Sequence, residues 1–225
     1  MQKNTLPLRY LWLTFRRDQL WFPCSIWALF VIVAGLMRTY NGADVAAGFL
    51  GIALPLISGI LAAYVFLDDP SLEVTFATRF PVTRLLLIRL GVLLVIDLLV
   101  AASYQIFVGL LGIDLSPYGL LLQVQLVWLV PCLATSAFAC LVALIAAQST
   151  AGAMLTGLIW IGELILHGWF ESKPAAHFFF LLSGFFGAGQ PWQAGSQVAL
   201  LALALLFLAG SLLLVKDRER FISAH

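Results

Sequence analysis

Residues 45–67 read VAAGFLGIALPLISGILAAYVFL, an uncharged stretch of 23 residues between Asp44 and Asp68. An α-helix rises ~1.5 Å per residue and the hydrocarbon layer of a bilayer is ~30 Å thick, so about 20 apolar residues can cross it. The stretch therefore predicts a membrane-spanning helix.

The rest of the chain has the same character. Hydrophobic residues make up 62% of the 225 residues and charged residues only 10%, whereas a soluble domain carries about 25% charged residues. The 12 basic and 11 acidic side chains are too few to cover the surface of a soluble fold of this length. We therefore predict an all-α membrane protein in which residues 1–225 form a single transmembrane domain.

Further apolar stretches of spanning length occur on both sides of this one. Residues 115–162 contain no charge, and the polar residues Gln148, Ser149 and Thr150 divide that long stretch into two helices. The pattern predicts six transmembrane helices, at about 19–37, 45–67, 85–113, 119–147, 150–170 and 194–215. An even number of spans places both termini on the same side of the membrane.

The orientation follows from the positions of Lys and Arg, which are enriched on the cytoplasmic side of membrane proteins. With six spans, ten basic residues fall on the side of the termini: Lys3, Arg9, Arg16, Arg17, Arg79, Arg84, Arg89, Lys216, Arg218 and Arg220. Only Arg38 and Lys173 fall on the other side. We therefore expect a multi-pass protein of the bacterial cytoplasmic (inner) membrane with both termini in the cytoplasm.

Residues 6–18 precede the first span and carry apolar side chains at helical spacing: Leu8, Leu11, Trp12 and Phe15. With arginines on the remaining surface, this pattern favours an amphipathic helix that lies in the membrane interface. The alternative is a simple extension of the first span that is kinked at Pro23.

Residues 177–192, HFFFLLSGFFGAGQPW, are apolar but interrupted by three glycines and a proline. Such backbone can enter a bilayer only where other helices shield it from lipid. We predict a broken re-entrant hairpin that dips in from the outer side before the sixth span.

The connection between the second and third spans is the most informative loop, and residues 67–90 read LDDPSLEVTFATRFPVTRLLLIRL. We call residues 69–81 the connector. Asp69 or Ser71 can cap a helix that has Pro70 and Glu73 in its first turn, and Pro81 ends it. The pattern predicts a short cytoplasmic helix whose aromatic face needs lipid or another protein as a partner.

Six spans, an interfacial N-terminal helix, this loop and a broken hairpin before the last span together resemble the type-2 ABC transporter permeases, the membrane-spanning subunits of ABC exporters. In that family the connector is a coupling helix that docks into a separate ATPase. The resemblance implies two ATPase subunits, a second permease subunit that is identical or related, and outward transport. It also implies a docking surface formed by Asp69, Ser71, Leu72, Glu73, Phe76 and Arg79.

The chain has no G-x-x-x-x-G-K-[ST] motif, so it lacks the phosphate-binding loop of an ATPase. We therefore expect no cofactor in this chain and no enzymatic activity of its own, with ATP and Mg bound by the partner ATPase. Membrane lipid is the other expected partner, and nucleic acid is not expected.

Polar residues within the apolar stretches are candidates for the transport pathway or for bonds between helices. Asp97 lies deep in the third span and is a functional candidate, or a hydrogen-bond partner of a neighbouring residue such as Gln123, Gln125 or Ser136. Glu163 belongs to a four-residue spacing with His167 and Glu171, which is compatible with a metal site but fits a hydrated outer mouth better. The candidate pathway or inter-helix residues are Asp97, Gln123 and Glu163.

Three other functions stay open. A six-span substrate-binding subunit of an importer would bind its ligand tightly without an ATPase, and an ion-coupled secondary carrier would depend on Asp97 and Glu163. A membrane enzyme needs a catalytic cluster, and the sequence has neither G-x-S-x-G nor H-E-x-x-H. The apolar spans favour lipids, amphipathic drugs or hydrophobic peptides as the substrate.

Overall fold

The computed structural model describes residues 18–68 and 82–216. Two expected elements lie outside these residues: the interfacial helix over 6–18, of which only Asp18 is described, and the helix of the connector, including its six expected docking residues. The basic cluster after Lys216 lies outside them as well.

The described ranges are helical and contain no strand. The helices are α1 (Asp18–Leu36), α2 (Gly42–Leu67), α3 (Val82–Leu110), α4 (Leu121–Ala146), α5 (Ser149–Ile165), α6 (His167–Ser172), α7 (Ser183–Phe186) and α8 (Gln193–Lys216). Single 3₁₀ turns occur at Ser116–Tyr118 and Ala176–Phe179.

Four of these helices, α2, α3, α4 and α8, are long and apolar enough to cross a membrane. This confirms the all-α class and agrees with a membrane protein, whereas six crossings stay a prediction. The apolar parts of α1 and α5 are shorter, at Trp21–Leu36 and Ser149–Ile165. α5 is shorter than the span expected at 150–170, because it ends at Ile165 and a separate short helix begins at His167. Its 17 residues correspond to a length of ~26 Å.

The two ends of the helix bundle are each closed by buried apolar side chains. One cluster joins the end of α2, the start of α3 and the ends of α4 and α8, through Phe66, Val82, Leu144 and Val215. The opposite cluster joins the start of α2, the end of α3, the start of α4 and the end of α1, through Ala34, Phe49, Val108 and Val124. α2, α4 and α8 therefore run towards the first cluster, and α3 runs away from it. We call the end that carries the first cluster the connector face, since the connector starts and finishes there.

The centre of the bundle is the contact of α2 with α4 and α5. In α2, 67% of the most apolar window is buried, against 22% in α8. Gly59 makes the close approach possible, because a Cβ there would lie 2.7 Å from Thr156 Cγ2 and 3.1 Å from Thr135 Cβ. Small residues allow helix backbones to approach in this way in membranes, where apolar surface alone does not select a partner.

A π-helical turn, Phe49–Ala53, interrupts α2 just before Pro55. Such a turn shifts backbone carbonyls away from their usual partners. Two side chains bond carbonyls in this region: Trp160 Nε1 donates to the carbonyl of Ile52 at 2.8 Å, and Thr135 Oγ1 shares its proton between the carbonyls of Pro55 at 2.8 Å and Pro131 at 2.9 Å. The irregular backbone is thus satisfied by α4 and α5, as a low-dielectric surrounding requires.

The connection from α3 to α4 is held at the end opposite to the connector face. Tyr118 Oη donates to Asp44 Oδ1 at 2.7 Å. Partial burial raises the pKa of the Tyr118 hydroxyl above its usual value, and the bond to the Asp44 carboxylate adds to the effect. The phenol therefore stays a hydrogen-bond donor across the physiological pH range.

The tight contact between α4 and α5 gives a first test. A Cβ at Gly152 of α5 would lie 2.5 Å from the carbonyl oxygen of Ala139 and 2.9 Å from Ala143 Cβ. We expect Gly152→Ala to lower the free energy of unfolding by about 1–3 kcal/mol, because the two backbones must separate. Denaturant titration of the purified protein in detergent measures the change.

The matched control is Gly157→Ala on the same helix, where a Cβ would meet nothing within 4 Å. This variant should be at least as stable as the wild type. Equal stabilities of the two variants would show that α4 and α5 are not packed at Gly152.

Candidate functional site

A chain of polar side chains crosses the middle of three helices. Ser58 Oγ of α2 donates to Asp97 Oδ2 of α3 at 2.5 Å, and it lies 2.7 Å from Ser136 Oγ of α4. Asp97 is only 1% exposed and Ser58 is fully buried. We call these three residues the polar triad.

The polar triad lies near the middle of the bundle. Asp97 is 15 residues after the first residue of the 29-residue helix α3, or ~22 Å along its axis. An ionisable side chain at the centre of a membrane helix costs about 2.5–3.5 kcal/mol on insertion scales. A single hydroxyl bond recovers only part of such a cost. The remaining cost of burying Asp97 must be offset by something else: a bound ligand, a bound proton or a further structural bond.

Beside the polar triad is a cavity of about 220 Å³, which we call the α3–α8 groove. Apart from the triad its lining is almost entirely apolar and comes mainly from leucines of α3 and α8. Leu87, Leu201 and Leu205 line it and are at the same time exposed on the outer surface of the bundle. The groove therefore opens sideways, between α3 and α8.

A second buried carboxylate holds the segment between α5 and α8. Glu163 of α5 is 4% exposed, and its Oε2 accepts a hydrogen bond from the backbone N–H of Leu182 at 3.1 Å. Leu182 and Ser183 are themselves fully buried. The carboxylate thus acts as a cap for backbone that lies outside any long helix.

Aromatic stacking and a glycine contact fix the rest of this segment. The ring of His167 stacks on Phe186 with centroids 4.6 Å apart, and that of His177 stacks on Trp192 at 4.2 Å. Gly184 lies directly against the backbone of Val127 in α4, where any Cβ would overlap the carbonyl oxygen. The segment is broken into α6, a 3₁₀ turn and α7, and it packs on the bundle at this point.

Glu163 also borders a separate cavity of about 420 Å³ between α4, α5, α8 and this segment. Its lining is apolar apart from the carboxylate and includes Phe138, Phe170, Phe179 and Phe207. Asp97 does not line this cavity and Glu163 does not line the α3–α8 groove. The two carboxylates therefore belong to two sites.

The structure separates the other residues expected near Asp97. Gln123 is in the first turn of α4, where its Oε1 accepts from the backbone N–H of Leu120 at 2.8 Å. Gln125 pairs with Gln105 of α3 at 2.7 Å. Ser136 reaches Asp97 only through Ser58, a residue that the sequence analysis did not single out. The sequence feature that could have identified Ser58 is its distance from the connector. Ser58 and Asp97 both lie well inside the two helices that meet at the connector face.

The four-residue spacing of Glu163, His167 and Glu171 does not form one helical stripe. α5 ends at Ile165, and His167 and Glu171 belong to α6. His167 Nδ1 contacts the carbonyl of Leu164 at 3.0 Å. Within residues 18–68 and 82–216, no group of three His, Cys, Asp or Glu side chains is placed to hold a metal ion.

The structure also joins two polar residues at the connector face. Ser149 Oγ, at the start of α5, donates to Asp68 Oδ1 at 2.5 Å. Asp68 directly precedes the connector, so the turn between α4 and α5 is bonded to the point where the connector leaves the bundle.

Comparison with models of protein families, with curated proteins and with solved structures found no match for this chain.

The bond of Glu163 to the Leu182 backbone can be removed by substitution. We expect Glu163→Leu to lower the free energy of unfolding by about 1–3 kcal/mol, because the buried N–H of Leu182 loses its acceptor. Glu163→Gln should lower it less, since an amide oxygen can still accept. Denaturant titration in detergent compares the two variants with the wild type.

Glu171→Gln serves as the control, because Glu171 is an exposed carboxylate on the neighbouring helix α6. It should leave the stability unchanged. A Glu163→Leu protein as stable as the wild type would refute the anchoring role of Glu163.

Proposed function

We propose that this chain is the membrane-spanning subunit of an ATP-driven exporter of the type-2 ABC permease kind, in the bacterial cytoplasmic membrane. In this proposal α1 and α5 complete six crossings together with the four longer helices. The segment between α5 and α8 is the re-entrant hairpin, and two copies of the permease, or this chain and a relative, form the pathway.

The observation that carries the proposal is the position of the two residues that flank the connector, Asp68 at the end of α2 and Val82 at the start of α3. The connector begins one residue after Asp68 and ends at α3, and the cluster of Phe66, Val82, Leu144 and Val215 gathers the ends of four helices at that face. A force applied to the connector would therefore reach several helices through buried contacts. This is what a coupling element between an ATPase and a transport pathway requires.

The hydrogen bond between Ser149 and Asp68 supports the same interpretation. It ties the start of α5 to the residue that precedes the connector, at 2.5 Å. A displacement of the connector would thus act on α2 and α3, which flank it, and on α5 through this bond. Leu182 bonds Glu163 of α5, so the movement would reach the segment between α5 and α8 too.

In the proposed mechanism the partner ATPases bind ATP and Mg, and their closure moves the connector. Residues Asp69, Ser71, Leu72, Glu73, Phe76 and Arg79 form the docking surface. This chain makes and breaks no covalent bond. It converts the movement into a change in the access of substrate to the two sides of the membrane.

An ion-coupled secondary carrier is the second candidate. It is favoured by the burial of Asp97 in the middle of α3, where a proton could be taken up and released. For such a carrier, Asp97→Asn would stop transport and no ATPase would be needed.

Purification of the tagged chain from its own host in a mild detergent tests the exporter proposal. We expect an ATPase with a phosphate-binding loop to co-purify with the wild type. In the double variant Glu73→Arg, Phe76→Ala, the amount of co-purified ATPase should fall about tenfold or more. The variant reverses a charge and removes an aromatic anchor of the docking surface. Mass spectrometry of the eluate measures the ratio.

The control is Glu171→Arg, Phe178→Ala, which makes the same two changes at exposed residues of the segment between α5 and α8. It should keep the ATPase. Equal retention by both double variants would disprove the docking role of the connector. A wild-type chain that purifies without any ATPase would reject the exporter in favour of the carrier.

A further inference from the structure

The α3–α8 groove is open to the surroundings of the bundle along its side. Leu87 of α3 is 45% exposed, and Leu201 and Leu205 of α8 are 42% and 61% exposed, although all three line the groove. In a membrane this opening faces the hydrocarbon. A molecule can therefore reach the polar triad from within the bilayer.

One oxygen of Asp97 is without a partner in the part of the chain that the structure describes. Oδ2 accepts the bond from Ser58, but Oδ1 receives no hydrogen bond from a described residue, although the residue is almost completely buried. A buried acceptor that is left unpaired is unfavourable, and more so when it is charged. Asp97 lines the groove, so a hydrogen-bond donor bound there could pair with it.

The charge of the lining selects the kind of donor. Asp97 carries the single carboxyl group among the described residues that border the groove, and none of those residues is Lys or Arg. The ionised form of Asp97 attracts a cationic group and repels an anionic headgroup, both strongly because the surroundings are apolar. The hydroxyls of Ser58 and Ser136 lie beside the carboxylate and can accept further bonds from an ammonium group.

The size of the groove selects what is attached to the cation. About 220 Å³ exceeds the ~150 Å³ of a cavity that holds benzene, yet it is smaller than the ~300–1,000 Å³ of pockets that enclose a whole ligand. The groove can thus take a headgroup and the first part of a chain. The remainder would lie between the exposed leucines and the lipid.

We propose that the α3–α8 groove binds single-chain amphiphiles that carry a protonated primary amine. The ammonium pairs with Asp97 Oδ1 next to Ser58 and Ser136, and the alkyl chain leaves through the opening between α3 and α8. This names a substrate class for the proposed exporter and rests on that function for transport, whereas binding needs this chain alone.

The experiment measures binding of radiolabelled dodecylamine to the full chain in lipid nanodiscs, with empty nanodiscs subtracted. Dodecanol and dodecanoate, which have the same chain length, serve as competitors. We expect dodecylamine to compete at least about tenfold better than either, because only the amine supplies a charged donor. Equal competition by dodecanol would overturn the proposal.

Asp97→Asn should abolish this headgroup preference. The control Asp114→Asn makes the same change at an exposed carboxylate between α3 and α4 and should keep it. A preference that persists in a folded Asp97→Asn protein would place the amine elsewhere and overturn the proposal.

A second pair of variants leaves Asp97 intact. It tests whether dodecylamine binds in the α3–α8 groove even if Asp97→Asn does not fold. Gly91 lines the groove, and a Cβ there would meet nothing within 4 Å, so Gly91→Leu fills the groove without a clash at its first atom. It should reduce dodecylamine binding at least about tenfold. Gly109→Leu, on the same helix outside the groove and equally free of contacts, should bind normally. Equal binding by both variants would overturn the proposal.

The outcomes for this site and for the exporter are separable. Selective amine binding in a chain that purifies without an ATPase would retain the site and reject the exporter. A co-purifying ATPase together with no headgroup preference would retain the exporter and reject the site.

Discussion

In the middle of the bundle, the hydroxyl of Thr135 on α4 bonds the carbonyl of Pro55 on α2, one turn from the place where Gly59 lets the two helices touch. Backbone that is irregular, as it is at the π-helical turn of α2, can exist in an apolar surrounding only if other elements supply its hydrogen bonds. α4 and α5 do so here. The two buried carboxylates depend on this arrangement, since it fixes the helices that surround them.

The two cavities lie on different sides of α4, and α8 contributes to both. Leu201 and Leu205 line the α3–α8 groove, whereas Leu200 and Leu203 line the cavity at Glu163. α8 is also the least buried of the four long helices. A shift of α8 therefore changes both cavities together. Its last turn joins the cluster at the connector face through Val215, so such a shift is linked to the connector.

The buried carboxylates differ in how they are satisfied. Glu163 bonds backbone and stabilises a segment that has little regular structure of its own. Asp97 accepts a bond from one hydroxyl and lines an open groove, and its second oxygen has no partner among the described residues. The two buried carboxylates therefore have different consequences. Glu163 stabilises the backbone of the segment between α5 and α8, whereas Asp97 is suited to binding a ligand.

The sequence by itself determined the class of the protein, because long uncharged stretches leave a helix in a membrane as the only way to satisfy the backbone. It also marked Asp97 and Glu163, since an ionisable residue stands out against an apolar helix. The partner of Asp97 was decided only by the tertiary structure. That partner is Ser58 of α2, which bonds Ser136 deep in α4, whereas Gln123, expected among the possible partners, lies in the first turn of α4.

Helices that are apolar all round carry no face that identifies their neighbours. The contacts therefore follow from the fit of small residues such as Gly59 and Gly152, and from the depth at which polar groups meet. The end of α5 at Ile165, the bond between Ser149 and Asp68 and the bond between Ser58 and Asp97 all depend on such long-range fit. Hydropathy along the chain predicts the length of each helix but does not identify which residues of different helices are in contact. Only the packed structure supplied those contacts.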